Sequence, residues 1–291
     1  MSSQQKIAFI SGGNRGIGLE TARELGKKGY RVVIGARNGE KGVDAVKTLT
    51  AEGIEAESVV YDAKRPASAA AVHDYLAQHH GKLDVLVNNA GTLEEPLFGG
   101  SILTVDEKVI EDTFAVNLFA VIRLTRALLP LLQKSEAGRI VNVSSILASL
   151  TLHSDEGSPI APSKAFAYNA SKTALNAFTI HLAAALRGSS IKVNSAHPGW
   201  VKTELGGAHA TDEVAGSGKT SARLATLDAG GNAACGFHPI GLTLKKGSPQ
   251  YPNTLRHGPC ALQVDGHGGP VRKFDHQLQF AAQRAHVAAE R

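Results

Sequence analysis

Tyr168 and Lys172, in the run Tyr168-Asn169-Ala170-Ser171-Lys172, stand four residues apart, the spacing that sets a phenol and an ammonium on one face of a helix. An unperturbed tyrosine titrates near ~10, and a neighbouring cation favours its phenolate, so the proton can be released and regained closer to neutral pH. The pair is a candidate proton-transfer couple. Tyrosine and lysine at this spacing also occur by chance on ordinary surface helices, so the couple gains weight only from what surrounds it.

A second constellation lies near the N-terminus. Ser11-Gly12-Gly13-Asn14-Arg15-Gly16-Ile17-Gly18 follows a strand-like run and precedes a helix-like one. In such a turn Gly12 takes the chain out of the strand, Gly16 lets backbone approach a pyrophosphate, and Gly18 lets the helix pack closely on the sheet. The helix N-terminus then faces the phosphates. Nineteen residues beyond Gly18 the next strand ends in Gly35-Ala36-Arg37-Asn38, where an acidic residue would grip the free ribose hydroxyl of NAD. Arg37 is basic, and with Arg15 it suits a clamp for the 2′-phosphate of NADP.

These groups need a scaffold, and hydrophobic periodicity supplies one. Short, nearly continuous apolar runs at 7–10, 31–36, 59–61, 83–88, 139–143 and 191–196 read as strands covered on both faces. Between them, helical periodicity spans about 17–28, 39–52, 66–80, 106–133 and 165–187. The alternation predicts an α/β fold: a single Rossmann-type, doubly wound parallel sheet with helices on both faces. Tyr168 and Lys172 fall near the start of the last helix, whose apolar stripe is Leu175, Phe178, Leu182 and Leu186. From about residue 231 the character changes, with eight Gly, five Pro and five His in 61 residues. Residues 1–240 are therefore read as the dinucleotide-binding catalytic domain and 241–291 as an atypical tail, disordered or loosely docked and dispensable for activity.

Five separated motifs occur in one order over about residues 5–230: Ser11-Gly12 with Gly16-Ile17-Gly18, Asn88-Asn89-Ala90-Gly91, Ser144-Ser145, Tyr168 with Lys172, and His197-Pro198-Gly199. Together they resemble the short-chain dehydrogenase/reductase family. Arg15 with Arg37, and the stretch between Ser145 and Tyr168, resemble its carbonyl reductase-like branch.

The resemblance implies roles for particular residues. Tyr168 would protonate a substrate carbonyl, or act as base when an alcohol is oxidised. Lys172 would lower the phenol pKa and bind the nicotinamide ribose. Ser145, with Ser144 as the alternative, would hydrogen-bond the carbonyl oxygen, and Asn117 would hold a water linking Lys172 to solvent. NADP(H) would be bound by Gly12, Asn14, Arg15, Gly16, Ile17, Gly18 and Arg37, by Asp62 at the adenine, and by Asn89, Ala90 and Gly91 beside it. Tyr168, Lys172, Pro198, Gly199 and Thr203 would complete that set, Thr203 against the carboxamide. Ser145 lies twenty-three residues before Tyr168, about ten more than the family often uses. The insertion around His153-Ser154-Asp155-Glu156-Gly157-Ser158-Pro159 reads as an exposed loop at the substrate mouth. In the carbonyl reductase-like branch such an insertion obstructs helix-to-helix dimerisation; monomer and homo-oligomer both stay open.

Composition narrows the rest. The net charge of +5 is uneven: residues 231–291 hold seven basic and three acidic side chains, leaving 24 against 23 in residues 1–230. No basic stripe is interleaved with aromatics, so no nucleic-acid partner is expected. No export signal and no apolar run of membrane-spanning length are evident, so the reading is a cytoplasmic protein without a membrane partner. Gly216-Ser217-Gly218-Lys219-Thr220 imitates the end of a phosphate-binding P-loop, but Glu213 stands where the first glycine belongs, and a helix start after Thr211-Asp212-Glu213 explains it better. Cys235 with His238, and His257 with Cys260, have ligand-like spacing, yet Cys235 falls where the family resemblance implies a further strand, making about seven in the sheet, so no metal is assigned. The expected activity is NADPH-dependent reduction of a ketone or aldehyde. The alternatives are a non-catalytic NADP(H)-sensing module, or NADP-dependent alcohol oxidation by the same residues.

Overall fold

Alternate residues of a strand face opposite sides of a sheet, and in this chain both sets are apolar. In the computed structural model, which describes residues 5–207 and 209–228, six strands form one parallel sheet in the order β3-β2-β1-β4-β5-β6. They are β1 (Ile7–Ser11), β2 (Arg31–Ala36), β3 (Ala56–Val60), β4 (Val85–Asn88), β5 (Arg139–Val143) and β6 (Lys192–Ala196). On one face Ala8, Ile10, Val32, Ile34, Val85, Val87 and Val141 pack with residues of α1 (Gly16–Gly26), α2 (Gly39–Ala51) and α8 (Lys219–Ala225). On the other, Phe9, Val33, Leu86, Ile140 and Val193 meet Val72 and Leu76 of α3 (Ala67–His79) and Leu124 and Leu128 of α5 (Ala120–Leu132). The doubly wound sheet expected from the sequence is present. The place of the seventh strand, the two cysteines and the tail lie outside the described residues.

Two elements differ from expectation. β3 begins three residues earlier and includes Glu57 and Ser58, because it is the edge strand next to β2 and is only half covered; a search for continuous apolar runs passes over such a strand. The helix expected over 106–133 is α4 (Glu107–Phe114), a π-helical turn (Ala115–Phe119) and α5 in unbroken succession. By length and composition this 26-residue stretch could cross a bilayer, which the sequence reading had not found. Half of its most apolar 18-residue window is buried inside the domain, with Leu124, Leu128, Leu131 and Leu132 in the core, as in a core helix.

The base of the sheet carries one buried cation. Arg139, 2% exposed, donates to the carbonyls of Leu227 (2.6 and 2.9 Å), Asp228 (3.1 Å), Gly138 (2.8 Å) and Ser190 (3.2 Å). Burial pulls its pKa below the ordinary guanidinium value, and the carbonyls offset that desolvation.

Candidate active site

The strand order reverses between β1 and β4, and a crevice opens at the carboxyl ends of the strands on either side of such a switch point. The loops after β1 and β4 meet there. Ser11 Oγ accepts from the main-chain N–H of Asn89 (3.0 Å) and Ala90 (3.1 Å), while Asn89 Nδ2 donates to the carbonyls of Ser11 and Gly12. The glycine loop is then pressed against its own helix. A Cβ on Gly18 would lie 2.3 Å from Gly12 O and 2.5 Å from Asn89 Nδ2, so only glycine lets α1 start there. Gly16 adopts φ +53° beneath Thr203 Cγ2. The N-terminus of α1 has no side-chain cap and no acidic residue in its first turn, which leaves its N–H groups for an anion.

The β5 end supplies Ser145, and α7 (Phe166–Ala185) supplies Tyr168 and Lys172, all three buried. Ser145, not Ser144, is the serine whose hydroxyl bears on the Tyr168 phenol, drawing its pKa down. The Ser144 hydroxyl is turned into the protein without a partner. Lys172 Nζ lies 5.6 Å from the Tyr168 ring centre and donates to Val143 O at 2.8 Å. Burial governs both titrations. It pushes Tyr168 up to about 12, opposed by the Ser145 hydrogen bond, and pulls Lys172 down to about 8. Desolvation therefore governs the phenol, in place of the lowering expected from its neighbour, and spacing alone cannot reveal that.

Asn117 sits fully buried in the π-helical turn. The turn displaces the helix by one residue and aims this side chain across at the β4 loop. Its Oδ1 accepts from Thr92 N (2.8 Å), and its Nδ2 donates to Thr92 O (2.9 Å) and Ser171 Oγ (3.1 Å). The amide is thus committed to bracing; service to a water would fall to the main-chain carbonyls that a π turn releases. A Cβ on Gly91 would stand 3.3 Å from Asn117 Oδ1 and 3.6 Å from Lys172 Nζ, so the three meet around one point.

The loop after β6 closes over the glycine loop. His197, half-buried at the end of β6, accepts from Ile146 N through Nδ1 at 3.3 Å, which ties it to the turn carrying Ser145. Burial pulls its pKa down to about 4, against the pull of Asp212. Asp212 forms the neck of the loop: its carboxylate accepts from Trp200 N (2.9 Å), and its main chain bonds to Trp200 and Lys202. Gly199, at φ +96°, leaves room for that carboxylate. At the tip, Glu204 pairs with Arg15. Phe98 meets Trp200 edge to face at 6.0 Å, and Phe98 bridges to Ser163 of the insertion. That insertion is partly ordered: it starts as α6 (Leu150–Ser154), and Ser154, Asp155, Glu156, Gly157 and Pro159 are exposed as expected, while Ser158 and Ile160 are buried.

Most of the remaining sequence-derived residues gather here; two stand at the margin. Arg37 is exposed at the end of β2, next to Asn38, which caps α2. Asp62 follows β3, and its carboxylate accepts from Lys64 N (3.0 Å) and pairs with Arg65. Asn14 and Ile17 are half-buried in the glycine loop, and Pro198 lies beside His197. The P-loop imitation has another cause. Gly218 packs directly on the Glu20–Thr21 backbone of α1, and α8 begins at Lys219, later than expected. Sequence reasoning missed Glu95, Thr92, Ser171, Glu204 and Asp212. Of these only Ser171, one residue before Lys172, carried a positional hint.

A concavity of about 430 Å³ elsewhere, lined by Arg31, Thr50, Glu55 and Glu57, lies toward the amino ends of the strands. There Arg31 pairs with Glu55 and Glu57.

Residues 6–214 match the family model described as short chain dehydrogenase. Carbonyl reductase (NADPH) 1 of Mus musculus is 32% identical, over 78% of this chain and 93% of its own. (+)-Neomenthol dehydrogenase of Arabidopsis thaliana is 30% identical, over 76% and 92%. Among solved structures, a metagenomic short-chain oxidoreductase in complex with NADP shares 33% identity at a TM-score of 0.64, over 79% and 95% of the two chains.

Proposed function

The chain belongs to the short-chain dehydrogenase family, and from that premise we propose that it is an NADPH-dependent reductase converting a ketone or aldehyde to an alcohol. The residues suit the cofactor: left-handed glycines at 12 and 16, a Gly18 that no side chain could replace, and an uncapped α1 N-terminus make a pyrophosphate cradle. Arg15 and Arg37 supply cations for a 2′-phosphate. NADP-bound neighbours support that choice. The bound nicotinamide supplies the hydride.

The observation that carries the reductive reading is the Tyr168 phenol, buried beside Lys172 and pushed up by burial to about 12. Such a phenol stays protonated at neutral pH and is poised to give a proton to a carbonyl oxygen as that oxygen gains charge. Ser145 steadies the same oxygen. Lys172, a cation below about pH 8, stabilises the phenolate left behind and draws a proton back. Phe98, Trp200 and the partly exposed Leu205 give the mouth an apolar wall, favouring apolar carbonyl compounds.

The test is NADPH oxidation followed at 340 nm over a panel of ketones and aldehydes, with Tyr168→Phe alongside. The variant is expected to lose about two to four orders of magnitude in rate. Equal rates in the two proteins would remove the mechanism.

A further inference from the structure

The first turn of α7 has a defect. Ala165, its N-cap, offers no side-chain oxygen, and none of its first residues is acidic. A helix started this way leaves N–H groups unpaired and the positive end of its dipole uncompensated. Here that turn contains the reacting side chain, since Tyr168 is its third residue.

The missing acceptor comes from 73 residues away. Glu95, in the loop after β4, accepts from the Tyr168 main-chain N–H through Oε1 at 2.9 Å. The Tyr168 carbonyl is held too: Ser171 Oγ donates to it at 2.7 Å, and Asn117 Nδ2 donates to Ser171 Oγ at 3.1 Å. Asn117 grips Thr92 through both N–H and C=O, and Thr92 lies three residues before Glu95 in the same loop. The contacts close a ring: Thr92, Asn117, Ser171, Tyr168, Glu95 and back along the chain to Thr92. Three residues past Glu95 the same loop carries Phe98, which meets Trp200 at the mouth.

We propose that Glu95 is a positioning residue for the reaction: it caps the catalytic helix from outside and fixes the Tyr168 backbone to the loop that walls the substrate mouth. This rests on the reading of Tyr168 as the acid. The role needs an acceptor oxygen at Oε1 more than a full charge, so glutamine retains it and alanine does not.

The experiment uses the full chain with tyrosine labelled by nitrogen-15. Five tyrosines give five amide signals, and the one lost in Tyr168→Phe identifies residue 168. In Glu95→Ala the Tyr168 amide is expected to exchange with solvent at least about tenfold faster, and kcat to fall about tenfold. NADPH affinity, read by fluorescence titration, stays within about twofold and shows that the fold is intact. Glu95→Gln is expected to return both exchange and kcat to within about threefold of the parent. Unchanged Tyr168 exchange in Glu95→Ala, undiminished kcat in that variant, or a glutamine variant as impaired as alanine would each overturn the proposal. A Tyr168→Phe enzyme with the parent's turnover would remove the acid assignment instead. That failure is distinguishable because the exchange rates are measured without turnover and still decide whether Glu95 holds the helix.

Discussion

Replacing Asn117 with alanine separates a brace from a reagent. The side chain is fully buried and makes three hydrogen bonds, two to the Thr92 main chain and one to Ser171. Ser171 keeps its bond to the Tyr168 carbonyl, so its loss is small. The Thr92 N–H and C=O are half-buried, and leaving both unmade costs about 1 kcal/mol each beyond what water returns. The vacated volume adds about 1 kcal/mol more. The sum of about 3 kcal/mol corresponds to a fall in Tm of about 6–12 °C for a domain of this size. Calorimetry of Asn117→Ala and Asn117→Asp measures it. Aspartate retains the acceptor for Thr92 N but sets an oxygen against Thr92 O and Ser171, and so should recover less than half of the loss. Activity should fall with stability, because the ring that holds Tyr168 opens. An alanine variant that melts within about 2 °C of the parent, a shift worth less than about 1 kcal/mol, while losing activity would refute the bracing argument.

Three further outcomes follow from other contacts. Gly18→Ala places a methyl 2.3 Å from Gly12 O; α1 must move off the glycine loop, and NADPH binding should weaken about tenfold or more with a loss of about 1–3 kcal/mol in stability, read by titration and denaturant melts. His197 is pulled down to about 4, so between its ordinary value near ~6.5 and 4 the unfolded chain binds more protons. Stability is therefore full above that window and is lost as pH falls through it, by about 2 kcal/mol once its partial exposure is allowed for. His197→Asn, which keeps an acceptor for Ile146 N, should flatten that dependence, and an unchanged slope would exclude His197 as its source. Glu204→Gln frees Arg15 from its exposed partner; NADPH affinity should rise about twofold to threefold at low salt, the modest size typical of surface pairs, and a weaker affinity would show that Glu204 does not compete for Arg15.

The scaffold was legible because its strands are buried on both faces and announce themselves as apolar runs; β3, at the edge, alternates with polar residues and was cut short. Glycine spacing located the crevice for the same reason, since Gly18 answers to a clash measured in the chain's own backbone. Composition hides other features. The π turn at Asn117 is one extra residue in a helical register, with no proline or glycine to mark it. Glu95 meets a main-chain N–H, and any residue type offers one, so nothing at Tyr168 hints at a carboxylate 73 residues earlier. Ser144 and Ser145 are adjacent and chemically alike; only the direction each leaves the strand end distinguishes them. The titration of Tyr168 and Lys172 depends on how dry their site is, a property of the packed molecule and not of their spacing.

Arg139 also has a bearing on how much of the chain this domain needs. Its guanidinium is clothed by carbonyls of Leu227 and Asp228, residues that follow α8 and are remote from the candidate active site. A chain cut before Leu227 would leave three of the five hydrogen bonds of this buried cation unmade. An enzyme shortened or fused for practical use must therefore keep the chain through Asp228, and an appendage joined there starts at the amino-terminal edge of the strands, away from the mouth where substrate enters.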